Sequence, residues 1–201
     1  MNIYSETNFF LEIVFSQEQP KHCEKIISLG RRKKIKLVIP AYSFAEALYK
    51  LEAQRKKREN FQRELNAQLN QLAQTAQYNS QITNFRNLDT FLTQNIEEEK
   101  KRFEKCRRDL TKIAEIIAFD ALTIERAKSV ATKYDLSLQD AIVFSSVLDH
   151  LQQSKASQNC FLNRNSKDFS QPGIIKRLET LNCKFFADFE KAHNYINSQI
   201  K

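Results

Sequence analysis

The sequence predicts an α/β protein: a central parallel sheet of about four strands, helices on both faces, and a long helical hairpin inserted into it. Three observations carry this reading. Short strand patterns near residues 2–5, 35–39, 159–162 and 183–187 alternate with amphipathic helical patterns, the arrangement that builds parallel sheets. Only two glycines and three prolines occur in 201 residues, so tight turns are few and helix dominates. Acidic and small polar residues follow the strand runs, at the carboxyl edge where open α/β sheets bind ligands. The length suits one domain, residues 1–201, with an insertion at about 60–118.

In the opening MNIYSETNFF, Ile3 and Ser5 alternate and Glu6, Thr7 and Asn8 follow. This is a first strand ending on a carboxylate and turning into helix, although Glu-Thr-Asn is also an ordinary helix N-cap sequence. FFLEIVF fits a short helix. A second helical pattern, from about Pro20 to Arg32, buries Ile26, Ile27 and Leu29 and has Gly30 near its end. RRKKIK, residues 31–36, puts five cations into six positions. It reads first as a solvated turn and second as a phosphate contact. KLVIP, apolar and ended by Pro40, suits a buried parallel strand. From Ala41 a helix aligns Phe44, Leu48 and Leu51. Glu46 in its second turn either points to solvent or faces the sheet edge.

From about Asn60 the character changes. Phe61, Leu65, Leu69, Leu72 and Ala76 recur at helical spacing on a background rich in Gln and Asn. After a polar break near Tyr78 to Thr83, a second pattern runs through Ile96, Phe103, Cys106, Leu110, Ile113 and Ile117. The near-heptad spacing predicts an antiparallel hairpin of two long helices, the second strongly basic from Lys100 to Lys112. A further helix, FDALTIERAKSVATKYD, is expected to bury Leu122, Ala127, Val130 and Ala131. The next begins at Ser137, where Asp140 stands at capping-box spacing. Capping leaves Asp140 free to bind a cation as well. NCFLNRNSKDF is a strand running into a polar turn that holds Asn163, Asn165 and Asp168, and the chain closes as helix, strand and helix.

The net charge of +8 favours an anionic partner such as nucleic acid. No apolar run approaches the roughly 20 residues of a membrane span, and Glu6 and Glu12 interrupt any signal-peptide pattern. Cys23, Cys106, Cys160 and Cys183 show no CxxC pairing and are expected to be free thiols in a reducing cytoplasm. His22, His150 and His193 are too scattered for a zinc site. The phosphate-binding GxxxxGK[ST] and GxGxxG loops are absent. What remains is a set of carboxylates from distant segments. Hard cations such as Mg²⁺ and Mn²⁺ choose such oxygen ligands, and with them water can be activated for attack at phosphorus.

Four stretches carry a resemblance: ETN at residues 6–8, IPAYSFAEAL with Glu46, LSLQDAIVFSSVL with Asp140, and FLNRNSKDF. In this order the chain resembles a PIN-domain protein, the family of small metal-dependent ribonucleases that includes many bacterial toxins of toxin–antitoxin pairs. The likeness covers about 2–55 and 120–188. It implies a three-layer fold and a Mg²⁺ or Mn²⁺ site held by Glu6, Glu46 and Asp140, supported by Thr7 or Asn8. The family usually has Asp where this chain has Glu6. Its fourth acid commonly follows a Thr, where this chain has Asn163 and Asn165 around the turn. Asp168 then either serves as the fourth acid or caps the next short helix. The resemblance further implies RNA as substrate, an antitoxin-like protein partner and a homodimer. Metal-dependent endoribonuclease is the first functional expectation. A PIN-like protein that binds RNA or a protein with little cleavage is the alternative.

Overall fold

The strands are short, and their alternating side chains feed two separate cores. The computed structural model describes residues 1–75 and 79–200. Among these, β1 (Asn2–Ser5), β2 (Lys36–Pro40), β3 (Glu115–Ile117), β4 (Asn159–Leu162) and β5 (Cys183–Phe186) form one all-parallel sheet in the order β3-β2-β1-β4-β5. The twofold period of a strand sends successive side chains to opposite faces. Ile3, Leu37, Ile39, Cys160 and Leu162 enter one core, with α1 (Thr7–Val14), α2 (Pro20–Arg31) and α9 (Phe189–Gln199). Tyr4, Val38 and Phe161 enter the other, with α5 (Ala121–Tyr134), α6 (Leu138–Gln153), α7 (Ser166–Phe169) and α8 (Pro172–Glu179). The expected α/β architecture, with helices on both faces, is the observed one.

Two details differ from the sequence reading. The sheet has five strands rather than about four, because residues 115–117 form β3 where the helical pattern was expected to continue. Three residues are too few to show a period of their own. Their conformation is imposed by β2, with Val38 beside Glu115 and Pro40 beside Ile117. Leu122, expected on a buried face, is 60% exposed. Asp120 caps α5 through Thr123, accepting from its N–H and its hydroxyl at 2.8 Å each, and Thr123 is the buried residue instead.

The hairpin consists of α3 (Ala41–Leu72) and α4 (Asn79–Ile113). Ala76 and Tyr78 lie outside the described residues, and helix has resumed at Asn79. Arg58 pairs with the buried Glu99, and Gln62 donates to Thr93 at 3.1 Å, so the two helices run antiparallel. There is no break at residue 60: α3 is one 32-residue helix that starts at the end of β2. The base of the hairpin is part of the main core, through Leu51, Phe103, Cys106 and Leu110. Close helix–sheet approach explains Gly30, since a Cβ there would lie 2.7 Å from Leu37 Cδ1. All four cysteines are free and buried. Among the described residues no helix is long and apolar enough to cross a membrane.

Candidate active site

The strand order reverses between β1 and β4, because the chain winds outward through β2 and β3 and then returns to the other side of β1. A crevice opens where such a reversal occurs, at the carboxyl ends of the strands. There a cleft of about 420 Å³ is lined by Glu6, Glu46 and Asp140, with Asn8, Lys50 and Asn165. Gln17, Gln139, Val143 and Arg164 complete its walls.

Glu6 sits at the end of β1 and caps α1, its Oε1 accepting from the Asn8 N–H at 2.9 Å. The cap and cleft readings of ETN both hold. Glu6 is 4% exposed, and burial pushes its carboxyl up to about 8, opposed by the Asn8 N–H. The charges of Glu46 and Asp140 push it further up, and Lys50 pulls it down. Glu46 has both oxygens engaged: Oε2 accepts from the Thr7 hydroxyl at 2.5 Å, and Oε1 pairs with Lys50 Nζ at 2.8 Å. Asp140 stands in the first turn of α6, where the Ser137 hydroxyl accepts from its N–H at 3.1 Å and donates to its Oδ2 at 2.8 Å. Burial raises this carboxyl, the Ser137 bond opposes the rise, and the nearby Asp168 and Glu46 add to it.

The FLNRNSKDF turn is tied to the first helix. Asn163 is buried, and its Oδ1 accepts from the Asn165 N–H at 2.8 Å and from Asn8 Nδ2 at 3.4 Å. Asn165 lines the cleft, while its Nδ2 donates to Asp168 Oδ2 at 2.7 Å. Asp168 is not on the cleft wall, nor is it the cap of α7, which is Asn165.

Five wall residues carry no assigned role in the sequence: Gln17, Gln139, Val143, Arg164 and Lys50. Lys50 lies one helical turn beyond Glu46, a spacing that ordinarily pairs opposite charges, but it opens a series of cations that continues with Arg55, Lys56, Lys57 and Arg58. Arg164 left no local signal, because its partner Glu12 is 152 residues away. Its Nη1 lies 2.6 Å from the fully buried Glu12 and its Nη2 2.8 Å from Glu18, which fastens the loop carrying Gln17 against the turn after β4. Gln139 precedes Asp140 and had no signal of its own. RRKKIK lies away from the cleft. Lys36 is beside Asn2 at the start of the sheet, so this run occupies the amino edge.

As a metal site the cleft fits in chemical kind. Its donors are hard oxygens, and burial, helped by neighbouring carboxylates, raises the proton affinity of Glu6 and Asp140. The cage is not preassembled: among the described residues no three Asp, Glu, His or Cys side chains are grouped to hold a metal ion.

The fold and cleft define a doubly wound α/β protein with an acidic crevice at its topological switch point. A PIN-domain family model matches residues 3–169, a span that includes Glu6, Glu46, Asp140 and Asp168. The chain belongs to the PIN-domain family, whose members are in general nucleases dependent on divalent metal ions. Neither the comparison with curated proteins nor that with solved structures found a match.

Proposed function

We propose that this protein is a metal-dependent endoribonuclease in which Glu6, Glu46 and Asp140 hold Mg²⁺ or Mn²⁺. The observation that carries the proposal is that acids from three distant segments line one cleft at the reversal of a PIN-domain sheet. A divalent ion in such a site supplies water activation and charge neutralisation at a phosphodiester. The chain's own groups do the positioning. The Thr7 hydroxyl holds the Glu46 carboxylate, the Asn8 N–H holds Glu6, and Ser137 steadies Asp140. The Lys50 side chain is 44% exposed at the cleft, so its ammonium can meet the RNA phosphate. Asp168, held behind Asn165, adds negative charge to the cluster.

A second reading, binding of RNA or a protein partner with little cleavage, is favoured by Asn165 standing on the wall in place of an acid. Incubation with single-stranded RNA in Mn²⁺, Mg²⁺ or EDTA separates the two. The nuclease reading expects cleavage with metal, none in EDTA, and losses of about a hundredfold or more in Glu46→Gln and Asp140→Asn. Cleavage that persists in EDTA overturns it. Intact RNA that is retained, with retention falling steeply as salt rises, favours the second reading.

A further inference from the structure

Beside the acids, the carboxyl edge of the sheet carries aromatic side chains that the metal site does not use. β2 and β3 end in register, with Pro40 beside Ile117, and two residues beyond each of these stands an aromatic residue, Tyr42 and Phe119. Their rings meet with centroids 5.7 Å apart and planes tilted by 43°, which leaves a step rather than a closed stack. Tyr42 is anchored on the core that α6 covers. Phe119 belongs to neither core: it stands in the connection between β3 and α5 and is 43% exposed.

Tyr42 is also tied to the cleft. It precedes Glu46 by one helical turn on α3, so the two side chains share a face and lie about 6 Å apart along the axis, the span of a single nucleotide. The Gln139 side chain on the cleft wall is within reach of the Tyr42 hydroxyl, and the charges of Glu46, Lys50 and Asp140 all act on that group. Leu138, the neighbour of Gln139 at the start of α6, is 52% exposed. Three such side chains, about half-exposed, offer roughly 300 Å², a quarter of the about 1,200 Å² that a stable protein contact buries. That is too little for a protein partner and enough for the face of one nucleobase.

We propose that Tyr42 and Phe119 form a base-stacking subsite beside the metal cleft, where they hold the nucleobase next to the phosphate under attack. This rests on the nuclease reading of the cleft and adds to it the residues that set where along the strand the cut falls. The acids, their metal and Lys50 engage only phosphate, which is the same at every nucleotide and positions a strand without reading it. A contact to a base supplies what those groups lack. An aromatic face stacks on any base, and a tilted pair of rings takes one base on its open side. The Tyr42 hydroxyl and the Gln139 amide stand beside this step as hydrogen-bonding groups for the edge of the base. Tyr42 and Phe119 act here as positioning residues, since neither touches the reacting phosphate.

Oligouridines about eight nucleotides long, each with 2-aminopurine at one position and a dye at one end, test the proposal when titrated with the full chain in Mg²⁺ or Ca²⁺. Anisotropy of the dye reads binding, and the 2-aminopurine emission, which falls when the base stacks, reads the subsite. The wild type should quench one position, or two neighbouring ones, and leave the rest bright. Phe119→Ala should abolish the quenching and weaken binding by about 5- to 150-fold. Phe119→Tyr should keep both, whereas Phe119→Leu, apolar but without a π face, should lose the quenching. Tyr42→Phe and Tyr42→Leu repeat the comparison, and Phe119, outside both cores, decides the matter even if Tyr42→Leu fails to fold. Phe91→Ala, at a side chain 61% exposed on the distal hairpin, should change neither readout. A wild type that binds RNA without quenching at any position overturns the proposal, and so does one that binds no RNA. Quenching that survives Phe119→Leu overturns it too, as does RNA binding that Phe119→Ala leaves unchanged, the result expected if this rim serves a protein instead. Cleavage in Mn²⁺ against EDTA is scored separately, so failure of the nuclease reading and failure of the subsite are told apart.

Discussion

Glu6 is both the cap of α1 and a wall of the cleft, and its titration reports on that double position. Burial holds its carboxyl up to about 8, against an ordinary value of 4.5. The folded, metal-free protein therefore keeps a proton that the unfolded chain releases near 4.5. The stability this group contributes is fully present below about 4.5, declines as pH rises, and is lost above about 8. Asp140, raised by the same cause, acts in the same direction. Thermal melts of the metal-free protein should fall over this window, and less steeply for Glu6→Gln; equal slopes would contradict the assignment. Arg164→Ala should cost about 3–5 kcal/mol in urea unfolding, because it leaves the buried Glu12 carboxylate without its cation. An unchanged midpoint would show that the pair is not a tether. The three acids were legible in the sequence because each stands within a few residues of a strand end or a helix start. The Arg164–Glu12 tether was not, since only the closed fold brings its partners together.

At the scale of elements, the long helices and the four strands of four or five residues are legible in the sequence, and the three-residue β3 is not. The helical period of Phe103, Cys106 and Leu110 is clear over many turns. β3 has three residues and takes its conformation from β2. The sequence also suggested that the insertion begins near residue 60, because composition changes there, but the backbone continues as one helix from Ala41. Two shortened chains separate the peripheral part of the hairpin from the part that supports the core. Replacing residues 60–96 by a short connector should leave a cooperative fold, since Arg58 and Glu99 already face each other and two to five residues join such helices. Removing 62–115 takes away the buried Phe103, Cys106 and Leu110 and should prevent folding. Equal melting behaviour of the two would mean that the hairpin base is dispensable. Gly30→Ala should cost about 1–3 kcal/mol, because its Cβ would press on Leu37 where α2 meets β2.

For the whole molecule, the arrangement of charge says more than its total. The +8 balance pointed to an anionic partner, yet RRKKIK lies at the amino edge and the distal hairpin is neutral, so neither brings RNA to the acids. Lys50 stands beside the acids, paired with Glu46 and opposing the rise of both Glu6 and Asp140. The order of the motifs made the family legible. The cleft follows from the strand order, which depends on how the crossovers wind and is not a local property of any stretch. On the proposed reading, Glu6, Glu46 and Asp140 act together as one metal centre. Calorimetric titration of Mn²⁺ into the wild type, Glu46→Gln and Asp140→Asn near pH 8 tests this most directly. The wild type should bind saturably, and each variant about 10- to 100-fold or more weakly. No binding by the wild type, or binding that both variants retain in full, would contradict it.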